Sequence, residues 1–274
     1  MDAGKAEDIF AANRAVGEIA LAVEATPDGT RRTRTREAGS LRVRFPGAAA
    51  GLEAVLINTA GGAAGGDRLA VEVAVGAGAS LTVTSAAAEK IYRSLGPDTD
   101  VAITLRVAAG GTLAWLPQET ILFDRARLNR SIEVDLADGA SLLLAEAVVF
   151  GRSAMGETME HGSVRDRWRV RRGGRLILAE GVWLEGDIAR ALDERAVAGS
   201  GVAVATVLKV PCQEAGIAAV RALDGQFTGE VGISAWNGFA VVRLCARDGA
   251  ALRQDLIAVL AALGGHALPR LWLN

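Results

Sequence analysis

Cysteine and histidine are scarce: the 274-residue chain has two of each, Cys212, Cys245, His161 and His266. Two cysteines do not make a disulfide framework. Each reads as a small buried residue in a reducing compartment. Neither histidine has a His or Cys at ligand spacing, which argues against a zinc site of the usual kind. A Ser-His-Asp triad would need one of them, and no Gly-x-Ser-x-Gly elbow is present to seat its nucleophile. Both read as surface or turn residues, with a wet loop at Met155–Glu160 before His161. Aromatics make up 4% of the chain, with Tyr92 the single tyrosine, so the core must be built of Ala, Val and Leu. No aromatic cluster accompanies the acids as a sugar platform would. The formal charge of −2 gives no electrostatic case for nucleic acid or an anionic membrane surface. No apolar run reaches the about 18 residues of a membrane span, and Met1–Asn13 carries acids and lacks a signal peptide's apolar run. These absences predict a cytosolic, soluble protein with no catalytic residue and no stable metal site.

Glycine, by contrast, is concentrated. In Asn58–Arg68 the pairs Gly61-Gly62 and Gly65-Gly66 run into Asp67. Four glycines in six positions suit neither a regular strand nor a helix, so the backbone must turn sharply or be closely approached. A phosphate loop would need Lys and Ser/Thr at its end and a helix after it. Asp67-Arg68 follows instead, and then Leu69–Val75 alternates as a strand does.

Gly, Ala or Gly, a variable residue and Leu recur at Gly78–Leu81, Gly110–Leu113, Gly139–Leu142 and Gly173–Leu176, with spacings of 32, 29 and 34 residues. Alternating runs precede each (Val71–Val75, Val101–Val107, Ile132–Leu136, Trp168–Val170), and more continuous apolar runs follow. The unit is strand, tight Gly turn, strand, and its period predicts stacked, solenoid-like β units. Four residues past each repeat Leu stand Ser85, Pro117, Glu146 and Glu180. If all four units stack in register, Glu146 and Glu180 become near neighbours about 4.8 Å apart. They then either line a wet internal path or reach the surface and pair with Arg. Arg31–Arg36, Leu41–Phe45 and Arg165–Arg171 alternate, placing arginines on shared strand faces. Such faces discourage edge pairing or dock an acidic partner.

Past Gly201 the pattern changes. Val202–Val210 predicts a strand, Gln213–Leu223 a helix, and Gly229–Ala246 a hairpin about Asn237-Gly238. Ala251–Leu263 predicts a helix with Leu252, Leu256, Val259, Leu260 and Leu263 on one face, stopping at Gly264-Gly265. The expected architecture is mainly β: a stacked β-strand, β-helix-like body over residues 1–200 and a mixed α/β C-terminal layer over 201–274, in one domain with few helices.

Several segments together resemble one family. Thr59–Arg68 resembles the Gly-Gly-x-x-Gly-Gly-Asp signature of the urease accessory protein UreD family, called UreH in some organisms. Ala88–Ser94 resembles its Lys-Val/Phe-Tyr-Arg-Ser segment, and Trp115–Phe123 its Trp-Leu-Pro-Gln run. Phe150–Glu157 resembles its Gly-Arg-x-x-x-Gly-Glu segment, and Leu268–Trp272 its terminal Leu-Pro-Arg-x-Trp. The matches fall in order over about residues 55 to 274.

The resemblance implies a nickel-delivery scaffold rather than an enzyme. It implies binding to UreF, which recruits the GTPase UreG, and docking of the assembly on apo-urease. Nickel in transit, rather than a tightly bound cofactor, would pass through a water-filled tunnel lined by polar and acidic residues. The matching positions are Asp67, Glu146 and Glu180. Gly61, Gly62, Gly65 and Gly66 form the motif's backbone turn. Lys90, Tyr92, Arg93 and Gln118 are candidates for an interface or channel wall. A further family acid falls near Ala50, where this chain has none. Sparse carboxylates without a Cys/His cage suit passage of Ni²⁺ better than storage. The alternative is a purely structural docking protein in which the acids carry no nickel. A carboxylate-based hydrolase is a remoter rival, expected to show an enclosed pocket with paired acids.

Overall fold

A computed structural model describes residues 14–47, 51–152, 155–264 and 268–273. The chain is mainly β. Its strands are β1 (Val16–Thr26), β2 (Gly29–Gly39), β3 (Leu41–Arg44), β4 (Leu52–Asn58), β5 (Arg68–Val75), β6 (Ser80–Ser85), β7 (Glu89–Ile91), β8 (Thr99–Val107), β9 (Thr112–Leu116), β10 (Thr120–Leu122), β11 (Arg127–Leu136), β12 (Ser141–Phe150), β13 (His161–Arg172), β14 (Arg175–Asp187), β15 (Ala203–Val210), β16 (Glu230–Trp236) and β17 (Phe239–Ala246). Its helices are α1 (Ile188–Asp193), α2 (Glu214–Arg221) and α3 (Gly249–Leu263). No described helix is long and apolar enough to cross a membrane.

Two sheets face each other. The first runs β14-β13-β11-β8-β5-β1-β2, and the second β16-β17-β15-β12-β9-β6-β4-β3, with β10 and β7 alongside β12. The repeat explains how the chain serves both. After β5, β8 and β11 it arches from the first sheet into β6, β9 and β12 of the second. Gly78, Gly110 and Gly139 turn these arches at φ of 66°, 67° and 77°, a region open to glycine at little cost. The arches stack, with the Gly78 N–H donating to the Ala109 carbonyl at 3.1 Å. Leu81, Leu113 and Leu142 fall in parallel register on β6, β9 and β12. These are the predicted solenoid-like coils.

The fourth unit departs from the pattern. Gly173 and Gly174 both have positive φ, 55° and 77°, the signature of a two-residue type I′ hairpin. The chain therefore folds back within the first sheet, and β14 pairs antiparallel with β13. The expected stacking of Glu180 on Glu146 fails for this reason: a second consecutive positive φ, at Gly174, converts an arch between sheets into a hairpin within one, whereas Gly111, which follows Gly110 in the second unit, stays out of the left-handed region and that unit arches.

Period-two alternation builds the core between the sheets. Ile19, Leu21 and Val23 of β1, Val71 and Val73 of β5, and Leu128, Ile132 and Val134 of β11 point inward to meet Leu113, Leu142 and Leu144. β12 is apolar on both faces because Leu143, Ala145, Ala147 and Val149 also pack beneath α3. The C-terminal strands extend the second sheet, β15 pairing with β12 and β17 with β15, while α2 and α3 cover its outer face. The hairpin at Asn237-Gly238 is present, with φ of 49° and 80°. Helix α3 is capped by Asp248, whose carboxylate accepts from the Ala251 N–H at 2.8 Å, and it ends at Gly264 with φ 63°. Its five predicted inward residues are buried. A bulge opposite Ala22/Val23 breaks the alternation of Arg31–Arg36: Arg34 pairs with Ala22 but Arg32 with the inward Val23. Arg32 accordingly lies over the Phe45 ring, at 4.2 Å.

Candidate functional site

The sequence motifs collect at one end of the coils. Gly62 lies against Tyr92, where an added Cβ would come 2.5 Å from the ring, and Gly65 lies against Ser94, where it would come 2.0 Å from the hydroxyl. The glycines therefore let the loop pack directly on the Ala88–Ser94 segment. Backbone bonds seal the contact, Ala63 N–H to Lys90 O at 2.7 Å and Tyr92 N–H to Ala63 O at 2.8 Å. The Tyr92 hydroxyl donates to Gly61 O, and its ring meets Phe123 edge-on at 4.9 Å. Arg152 lies over the Phe123 ring and pairs with Glu157. Lys90 and Arg93 are exposed at this end.

Asp67 is buried, and both carboxylate oxygens are engaged. Oδ1 accepts from the Ala15 N–H and Oδ2 from the Ala64 N–H, each at 2.8 Å. Its side chain ties the glycine loop to the start of β1. Gln118 has two partners of its own: its Oε1 accepts from Arg253 at 2.6 Å and its Nε2 donates to Leu271 O. The Trp-Leu-Pro-Gln run and the terminal Leu-Pro-Arg-x-Trp segment thus meet over α3.

Inside the body, a cavity of about 220 Å³ opens beneath the glycine loop. Asn58, Glu89, Lys90, Gln118, Arg130 and Glu146 are among the polar residues of its wall. At its floor the Arg130 guanidinium bridges the sheets. Nη1 donates to Glu146 Oε2 on β12 and Nη2 to Asp166 Oδ2 on β13, each at 2.5 Å. Two indoles hold the outer oxygens: Trp115 Nε1 donates to Glu146 Oε1 at 2.8 Å, and Trp168 Nε1 to Asp166 Oδ1 at 3.1 Å. All three ionic side chains are buried. Burial works against the Arg130 charge, but Asp166 and Glu146 more than offset it and hold the guanidinium above its ordinary range. Burial pushes the Glu146 carboxyl up, with Arg130 and Trp115 pulling against it.

A second cavity, of about 480 Å³, lies toward the other edge of the sheets, with Glu180, Val182, Thr206, Glu230 and Arg243 in its wall. Thr206 is the register neighbour of Glu146 on β15, and Arg243 that of Thr206 on β17. Val182 is likewise the neighbour of Asp166 on β14. Directly paired residues share a sheet face, so Glu146, Thr206 and Arg243 form one polar row between the sheets, roughly 4.8 Å per step. Glu180 reaches the end of that row from β14, accepting from Arg243 Nη2 at 2.5 Å. The structure thus puts Glu146 and Glu180 along one polar row, buried at Glu146 and exposed at Arg243, by a route the repeat does not describe, and puts Asp67 in the wall of neither cavity.

Arg130 and Asp166 are absent from the sequence-based candidates, yet a signal marks both. Each interrupts the inward phase of an alternating strand: Leu128, Arg130, Ile132 on β11, and Val164, Asp166, Trp168 on β13. Ala50 and His266 lie outside the described residues. Among the described residues no cluster of three or more His, Cys, Asp or Glu is placed to hold a metal ion.

Comparison with known proteins adds the family. A family model described as UreD urease accessory protein matches residues 15–273. The chain is 59% identical over 267 residues to "Urease accessory protein UreD" of Rhodopseudomonas palustris strain BisA53, covering 97% of this chain and 93% of that one. It is 57% identical over 267 residues to the protein of the same name from Bradyrhizobium diazoefficiens, covering 97% and 96%. It is 55% identical over 273 residues to "Urease accessory protein UreD 3" of Bradyrhizobium sp. strain BTAi1, covering 99% and 98%.

Proposed function

The chain belongs to the UreD urease accessory protein family, and on that premise we propose that it serves urease maturation as a non-catalytic scaffold and nickel conduit. The observation that carries this reading is the polar row Glu146–Thr206–Arg243–Glu180 running between the sheets from one cavity to the other. Glu146 is a buried polar group in an apolar layer, costly unless paired, and Thr206, Glu180 and Arg243 continue the row from it out to an exposed edge. The carboxylates of Glu146 and Glu180 and the Thr206 hydroxyl supply oxygen donors spaced along the path, able to bind a divalent ion weakly at several points as conduction requires, while the Arg243 guanidinium pairs with Glu180.

The motif end, with Lys90 and Arg93 exposed beside the cavity mouth, and the opposite end, with Glu180 and Glu230, are the two openings of this route. Its neighbours in the working assembly are UreF, UreG through UreF, and apo-urease, with the assembly in the cytoplasm. Asp67 contributes by fixing the glycine loop at the mouth.

The test is co-expression of the Glu180→Gln/Thr206→Val double variant with UreF, UreG and apo-urease. Urease activation by nickel is expected to fall while the accessory complex still co-purifies. Full activation in the double variant overturns the conduit and leaves a docking protein.

A further inference from the structure

We propose that Arg130 is a built-in counter-cation occupying a two-carboxylate divalent-cation site, and that an ion passes between the cavities only when it displaces this guanidinium.

The geometry has three parts. The first is charge. Glu146 and Asp166 together carry −2 and Arg130 supplies +1, so the buried trio is left at −1, which a divalent ion in place of the guanidinium would cancel. The second is pre-organisation. Arg130 does not grip either carboxylate with a two-pronged fork, the arrangement that fixes such pairs most firmly. It gives one nitrogen to each, while Trp115 and Trp168 independently anchor the far oxygens. With the guanidinium withdrawn, both carboxylates still face the vacated position, and the Thr120 hydroxyl, 3.5 Å from Nη1, lies beside it. The third is incomplete satisfaction. Arg130 Nε is buried without a hydrogen-bond partner among the described residues, and the side chain forms part of the cavity wall. An unmet buried donor carries a desolvation cost that falls on the guanidinium only while it stays in this position.

The donor set, two carboxylate oxygens and a hydroxyl, is hard and lacks sulfur and imidazole. It accepts divalent first-row ions weakly, with Ni²⁺ ahead of Mn²⁺ in the usual order of affinities. Competition between the ion and Arg130 lowers the affinity further. The position separates the two cavities: Glu146 and Arg130 face one, and the strand neighbours Thr206 and Val182 face the other.

The place of this site on a delivery route rests on the reading above, but its existence does not. The test uses the full-length chain without a histidine tag, its Arg130→Met variant, and Arg130→Met/Glu146→Gln, each titrated with Ni²⁺ by calorimetry and melted with and without it. R130M is expected to bind about one Ni²⁺ per chain, at least roughly tenfold tighter than the parent, and to melt higher with the ion present. The double variant should lose both effects. R130M that is soluble only when produced with Ni²⁺ supports the site equally. R130M that binds no more tightly than the parent overturns the proposal. So does R130M that stays insoluble with Ni²⁺ while the double variant is soluble. Full urease activation in the Glu180→Gln/Thr206→Val variant would remove the route and leave the calorimetric result standing.

Discussion

Trp272 Nε1 donates to the Leu116 carbonyl at 3.0 Å, across 156 residues of chain. The indole is 2% exposed, and Arg253 of α3 lies over its ring at 5.2 Å while donating to the carbonyls of Leu271 and Trp272. The last described turn of the chain is thus part of the core that covers the second sheet. Replacing Trp272 with Ala removes a large buried ring and orphans the Leu116 carbonyl. A loss of about 3–5 kcal/mol is expected, read as a lower urea midpoint with an unchanged slope.

Asp67 and Glu180 should separate under the same substitution. Asp67→Ala strips two part-buried backbone N–H groups of their acceptor, and about 2–4 kcal/mol of stability should go with it. Glu180 pairs with Arg243 at 2.5 Å, where the arginine side chain is 55% exposed; an exposed pair of this kind contributes under about 1 kcal/mol. Glu180→Ala should leave the melting curve nearly in place and lower nickel-dependent urease activation. Equal melting temperatures for the two variants would contradict this account of Asp67.

Gly62→Ala should disturb the motif end alone. The new methyl would sit 2.5 Å from the Tyr92 ring and 2.9 Å from the Lys90 carbonyl, at φ of 149°. Neither the ring, held edge-on against Phe123, nor the backbone can give way freely. Overpacking of this kind costs about 1–3 kcal/mol. Amide exchange should quicken around Ala63 and Tyr92 and stay slow in α3; fast exchange throughout would mean that the loop supports the whole fold.

Glu89 ties its stability effect to pH. Burial beside the cavity pushes its carboxyl up, with the Asn58 amide pulling against the shift. A folded state that prefers the protonated acid gains stability as pH falls through the raised value and loses it as pH rises above. Linkage then predicts that Glu89→Gln, which keeps an acceptor for Asn58, melts higher than the parent at pH 7.5, with the difference shrinking toward pH 4.5. A parent that melts higher at pH 7.5 contradicts the sign.

Much of this was legible in the residues. The glycine repeats at Gly78, Gly110 and Gly139 marked three stacked arches, because a glycine turn between an alternating run and an apolar Leu suits a sharp change of direction between two strands. Asn237-Gly238 marked its hairpin by the same logic. Gly173-Gly174 misled, since it reads like the arching Gly110-Gly111 while both of its glycines take positive φ and make a type I′ turn. Glu146 was legible as a carboxylate in an apolar strand, but its partners were not. Arg130 is 16 residues away and Asp166 is 36 from Arg130, on strands whose meeting depends on which sheet each joins.

The sequence by itself determined the strand-turn-strand units and the inward phase of the core strands, because these follow from local backbone preference and side-chain alternation, and its motifs carried the family resemblance. Only the tertiary structure decided that Asp67 closes a loop, that Glu180 meets Arg243, and that Arg130 stands between two carboxylates. Those contacts arise from the facing of two sheets, and residues far apart in the chain become neighbours there only after arches and hairpins have assigned every strand to its side.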